Sequence, residues 1–188
     1  MSKRKLIIIL IAIAISLVAT LVKVNAADYK ILDQGQRRAC VVYAVETYID
    51  IVGEPSDIGV DKAIKDLGKD ATDPAKVLPY YVSSGAITGF ERIHGISEID
   101  TALETSPVLL MTWTDLTDWK DGNITVPQKR FKFLHATVLI SKGEYYTGVN
   151  SWGENWGFNG HYRMDIESIK YIIAGAYVLA LPEAVVWN

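Results

Sequence analysis

Asn150-Ser151-Trp152-Gly153-Glu154-Asn155-Trp156-Gly157-Phe158-Asn159-Gly160-His161-Tyr162-Arg163-Met164 is the stretch on which the fold turns. Its middle, Ser151 to Asn159, reads as a loop that holds two tryptophans, with the glycines Gly153, Gly157 and Gly160 in and beside it. Upstream, Tyr145 to Asn150 predicts a strand, entered through a hairpin turn at Lys142-Gly143-Glu144. Before that turn, Phe131 to Ser141 is apolar on both faces, as a strand buried inside a sheet should be. Downstream, Gly160 to Ile166 predicts a strand, Glu167 to Ile173 a short helix and Ala176 to Leu181 a final strand. Further upstream, Pro107 to Trp113 is another apolar strand, and Asp115 to Gln128 is a long loop turning at Asp121-Gly122. Strands joined by short connections make this half an antiparallel sheet.

The half before it has the other period. From Cys40, the residues Val42, Val45, Ile49 and Val52 fall at helical spacing, and Val41, Ala44, Tyr48 and Ile51 widen the apolar face. Only Glu46, Thr47 and Asp50 interrupt it, so this helix should be largely buried before Gly53 and Pro55 end it. Asp57 to Leu67 predicts a more polar helix closed by Gly68, and Asp73-Pro74 starts a third that runs to about Ser84. Ile96 to Glu104 is a short fourth helix. Helices first and an antiparallel sheet second define an α+β chain.

Composition narrows the function classes. The 188 residues suffice for one well-cored domain. A net charge of -3 gives no ground for a nucleic-acid partner. The single cysteine excludes an intramolecular disulfide and a multi-cysteine zinc site, His94 and His161 have no metal-ligand spacing, and nothing calls for a cofactor. Residues 1–26 are of another kind: Ser2-Lys3-Arg4-Lys5 is basic, Leu6 to Val22 is apolar, and Val24-Asn25-Ala26 offers small residues for cleavage after Ala26. This segment predicts a signal peptide or a retained N-terminal anchor, with the domain from residue 27 on the non-cytoplasmic side. Membrane association would run through that segment alone. Asn123-Ile124-Thr125 is a glycosylation sequon, relevant only in a eukaryotic secretory route.

The residues that could carry chemistry are Cys40, His135, Asn150 and Gln34. Cys40 stands where the polar loop Asp33-Gln34-Gly35-Gln36-Arg37-Arg38-Ala39 meets the apolar helix, and a helix start favours thiolate over thiol. Arg37 and Arg38 would add positive charge if they turn toward it. His135 lies in the strand Phe133-Leu134-His135-Ala136-Thr137-Val138, where an unpartnered imidazole would be costly. A thiolate on one ring nitrogen and the Asn150 amide oxygen on the other would satisfy it. Gln34, six residues before Cys40, could return its amide toward the thiol past Gly35 and join the Cys40 N–H in stabilising an oxyanion. On these residues alone, a buried structural thiol and a structural strand histidine remain open readings.

Three blocks in this order resemble the papain-like cysteine peptidases: Gln34 to Cys40, His135-Ala136 with the apolar residues after it, and Asn150 to Met164 almost position by position. The resemblance spans nearly the whole of residues 27–188. It implies a two-lobed fold, a helical lobe and a sheet-rich, barrel-like lobe with the cleft between them. It further implies Cys40 as nucleophile, His135 as base and then acid, Asn150 holding the imidazole, Gln34 in the oxyanion hole and Trp152 shielding the histidine–asparagine bond. The implied partner is a peptide or protein substrate. The chain departs from the family pattern beside the nucleophile, with Arg37 for a cysteine, Arg38-Ala39 for glycine-serine and Val41 for tryptophan. Only 13 residues separate Ala26 from Cys40, which leaves no room for an inhibitory propeptide between them. Two other functions stay open: a thiol amidase or acyl transferase on a non-protein amide, and a papain-like scaffold that binds without catalysis. Oligomeric state is not legible.

Overall fold

The computed structural model describes residues 29–53, 56–114, 119, 121–126 and 133–182. The basic and apolar segment of residues 1–26 lies outside them, and so does half of the long loop 115–128. Among the described residues, no helix is long and apolar enough to cross a membrane.

Helices come first. α1 (Cys40–Val52) is followed by α2 (Gly59–Leu67), a 3-10 turn (Gly68–Thr72) and α3 (Pro74–Ser83). The predicted α3 start holds, since the Asp73 carboxylate accepts from the Ala75 N–H at 2.9 Å and Pro74 occupies the first turn. β1 (Gly89–Ile93) and α4 (Gly95–Ala102) lead into β2 (Val108–Thr114), β3 (Asn123–Ile124), β4 (Phe133–Lys142), β5 (Tyr146–Val149) and β6 (His161–Met164). α5 (Ile166–Ile172) and β7 (Ile173–Ala180) complete the order. The predicted α+β arrangement is observed. β7 begins three residues earlier than the sequence implies, because Ile173 passes directly from the helix into sheet pairing with Thr112.

The seven strands among the described residues form one open sheet in the order β1-β7-β2-β4-β5-β6-β3. Every neighbouring pair is antiparallel except β3 with β6. The barrel-like expectation is thus corrected in one respect. The sheet does not close on itself, and β1 and β3 remain at opposite edges. β1 escapes sequence reading because Phe90, Glu91 and Arg92 are all exposed, so it shows no period-2 signal.

The period-2 geometry of the central strands divides the core. Leu109 and Met111 of β2, with Ala136 and Val138 of β4, pack with α1, whose Val41, Val42 and Val45 are fully enclosed. Val108 and Leu110, with Leu139, face the other way into a cluster with Trp119, Tyr146, Tyr162 and Ile169. The N-terminus of α1 and the start of β4 therefore meet at one end of the sheet, with Ala136 on the α1 side and His135 on the other.

Candidate active site

The register of β4 and β5 positions the histidine. Val138 pairs with Val149, and continuing that antiparallel pairing past the end of β5 sets Asn150 opposite Thr137 and Trp152 opposite His135. Residues 135, 137, 150 and 152 then share one face of the sheet. The side chains agree. His135 Nε2 lies 2.8 Å from Asn150 Oδ1, and the Trp152 ring stacks on the imidazole at 4.9 Å and 28°.

The protonation of that ring follows from the bonds around it. The Ser151 N–H donates to Asn150 Oδ1 at 2.8 Å, so this atom must be the amide oxygen. An amide oxygen only accepts, so Nε2 carries the ring proton and Nδ1 is the basic nitrogen. Burial lowers the His135 pKa to about 4, against a smaller upward pull from Asn150. The resting imidazole is neutral.

Trp119 was not legible as part of this site. It lies in the predicted long loop, yet it is fully enclosed, edge-on to His135 at 5.7 Å and to Trp152 at 6.1 Å. A bulky aromatic in a mostly polar loop is the one signal the sequence offers for it. The loop after β5 is shaped by close approaches that a Cβ would prevent. One on Gly157, whose φ is +56°, would meet the His161 carbonyl oxygen at 2.4 Å. One on Gly160 would meet Ile31 at 2.3 Å, where the N-terminal segment crosses this loop. That segment is tied down by the Gly153 N–H to the Leu32 carbonyl at 3.1 Å, the Gln34 N–H to the Ser151 carbonyl at 2.8 Å, and Tyr29 Oη with His161 Nε2 at 2.6 Å.

Those ties carry Gln34 to the site. Its Oε1 accepts from Ser151 Oγ at 2.7 Å, which orients the amide, and its Nε2 donates to the Arg37 carbonyl at 3.2 Å. One Nε2 hydrogen is left over. Cys40 opens α1, which has no side-chain cap and no acidic residue in its first turn. The cysteine is 6% exposed, and burial raises its thiol pKa against the opposing N–H groups of Ala136, Val41 and Cys40 itself. Neither arginine contributes to that shift. Arg37 is instead engaged with Asp61 at 2.5 Å and with Tyr43 Oη at 3.3 Å.

A cavity of about 710 Å³ brings the pieces together, lined among others by Gln34, Cys40, His135 and Trp152. No hydrogen bond joins Cys40 Sγ to His135 among the described residues. The two share the cavity wall, and the sulfur lies beside the Ala136 N–H, the residue after the histidine. Asn150 is buried behind the ring, with its Nδ2 unpartnered.

No protein-family model and no curated protein matches the chain. Solved structures do. Bromelain from Ananas comosus, in complex with the E64 inhibitor, superposes with a TM-score of 0.66 at 17% identity, over 84% of this chain and 95% of bromelain. Xylellain, a cysteine protease from Xylella fastidiosa, gives a TM-score of 0.60 at 17% identity over 82% and 84% of the two chains. Digestive procathepsin L2 from Tenebrio molitor gives 0.62 at 16%, over 82% of this chain and 65% of its own. The fold is therefore that of the papain-like cysteine proteases.

Proposed function

We propose that this chain is a cysteine-type peptidase that hydrolyses peptide bonds through Cys40. The observation that carries the reading is the His135 ring, bonded to Asn150 and stacked on Trp152, with its basic Nδ1 left for a cavity that Cys40 and Gln34 also line. In this reading Nδ1 takes the thiol proton and the thiolate attacks the substrate carbonyl. The Gln34 Nε2–H and the Cys40 N–H hold the oxyanion. The imidazolium then protonates the departing amine, and the same nitrogen activates water to hydrolyse the thioester. Asn150 keeps the ring oriented, and Trp152 excludes water from the His135–Asn150 bond, which strengthens it.

A panel of fluorogenic peptides tests this. Hydrolysis is expected from the wild-type chain and not from Cys40→Ala, and equal rates from both would remove the proposal. One observation favours a second reading, a scaffold that binds without catalysis: the thiol is buried, its pKa is raised, and it has no hydrogen bond to the histidine. Peptide affinity without turnover would support that reading. On sequence grounds alone, the domain is placed across a membrane by residues 1–26, and mass analysis of the mature N-terminus distinguishes cleavage from retention.

A further inference from the structure

We propose that Arg38 reads a carboxylate on the substrate, either an acidic side chain near the scissile bond or a free C-terminus. The proposal rests on the peptidase reading and specifies its substrate class.

The charge of the cleft is the starting point. Among the described residues no carboxylate lines the cavity, and the chain as a whole carries a net charge of -3. Two guanidiniums do line it, and they differ. Arg37 is neutralised by Asp61 at 2.5 Å. Arg38 is exposed and makes no hydrogen bond or ion pair among the described residues. An exposed, unpaired arginine is usually just solvated. Here it lies two residues from the thiol on the wall of the same cavity, whose other described lining residues, Phe133, Leu134 and Trp152 among them, carry no countercharge. Two residues of extended chain span about 7 Å, a distance an arginine side chain also covers. A peptide whose carbonyl meets Cys40 thus brings a neighbouring residue within reach of Arg38. A guanidinium binds a carboxylate through two parallel N–H donors, a match that neither an amide nor a cation offers.

The expected selectivity is about fivefold in kcat/KM, the equivalent of about 1 kcal/mol for a solvent-open ion pair. The test uses the full chain and peptides that differ only by Glu or Gln at each position flanking the cleaved bond, each with a free or amidated C-terminus. A Glu preference that falls toward unity in Arg38→Gln, and persists in Arg37→Gln, assigns the carboxylate to a side chain. A preference for the free C-terminus that falls in the same way assigns it to the terminus. No preference in the wild type, or one unchanged in Arg38→Gln, overturns the proposal. If no peptide is cleaved, the peptidase reading fails separately, and alkylation decides on Arg38. The rate of Cys40 modification by iodoacetate relative to iodoacetamide should drop about fivefold in Arg38→Gln, and an unchanged ratio overturns the proposal.

Discussion

On the sheet side of the cleft, His135 is held by Asn150 at 2.8 Å, by the stacked Trp152 and by the edge of Trp119, all fixed by strand register and burial. On the helix side, Gln34 to Arg38 form a largely exposed loop, tied mainly through the Ser151 backbone and hydroxyl and through Asp61. One wall is determined by packing and the other by a few polar contacts. A packed wall cannot change sequence without disturbing the fold, whereas an exposed loop can. That is where this chain carries Arg37 and Arg38. Substitutions on the sheet wall should therefore move stability and activity together, and those on the helix wall activity alone.

The largest expected effect is that of Cys40→Ala, a loss of hydrolysis on the order of 10³-fold or more with the far-UV spectrum retained. Next is Gln34→Ala, about 10²-fold in kcat. Its thermal midpoint should stay near wild type, and a coupled loss of stability would erase the distinction between the walls. Asn150→Ala should show that coupling: a tenfold or greater loss of kcat, and about 2 kcal/mol of stability, because the buried His135 Nε2–H then lacks an acceptor. Denaturant titration would contradict this if the variant proved as stable as the wild type.

Two buried titratable groups extend the comparison to pH. The folded-state pKa of His135 is depressed from 6.5 to about 4, so the folded chain binds fewer protons than the unfolded one in that window. Stability is fully present above 6.5 and is lost as pH falls toward 4, by about 3 kcal/mol. A His135→Asn variant should flatten that limb. Glu46, on α1, has the opposite sign. Burial raises its carboxyl pKa, partly offset by hydrogen bonds from Tyr81 and Ser56, so its contribution is present at low pH and lost as pH rises. Glu46→Gln should raise stability at neutral pH relative to acid. Chemical denaturation across pH 4 to 8 reads both slopes.

The sheet wall was largely legible in the sequence, because its residues lie in consecutive strands joined by short connections. Asn150 had to end a strand antiparallel to the one bearing His135, and the glycines around Trp156 required a tight loop. Trp119 was not legible, because a long loop has no period that fixes where an aromatic lands. The open sheet was not legible either, since closure depends on which strands meet at the edges and not on any one strand. On the helix wall, sequence placed Gln34 and Cys40 together. It could not separate the two arginines: Arg37 takes its partner, Asp61, from α2, a contact that only the packing of α1 against α2 creates. Arg37 is held by Asp61, and neither arginine is among the groups that shift the Cys40 thiol.

The account stands on Cys40 being an activated thiol within a fold that buries it, and the two readings of a buried cysteine predict opposite effects of folding on its reactivity. The most direct measurement is the rate at which a peptidyl epoxide modifies Cys40 in the native chain and in the urea-unfolded chain, followed by intact mass. The account predicts one equivalent bound, faster in the native chain than in the unfolded one, with the excess lost in His135→Ala. Modification no faster in the native chain than in the unfolded one would contradict it, and would make Cys40 a core residue of α1.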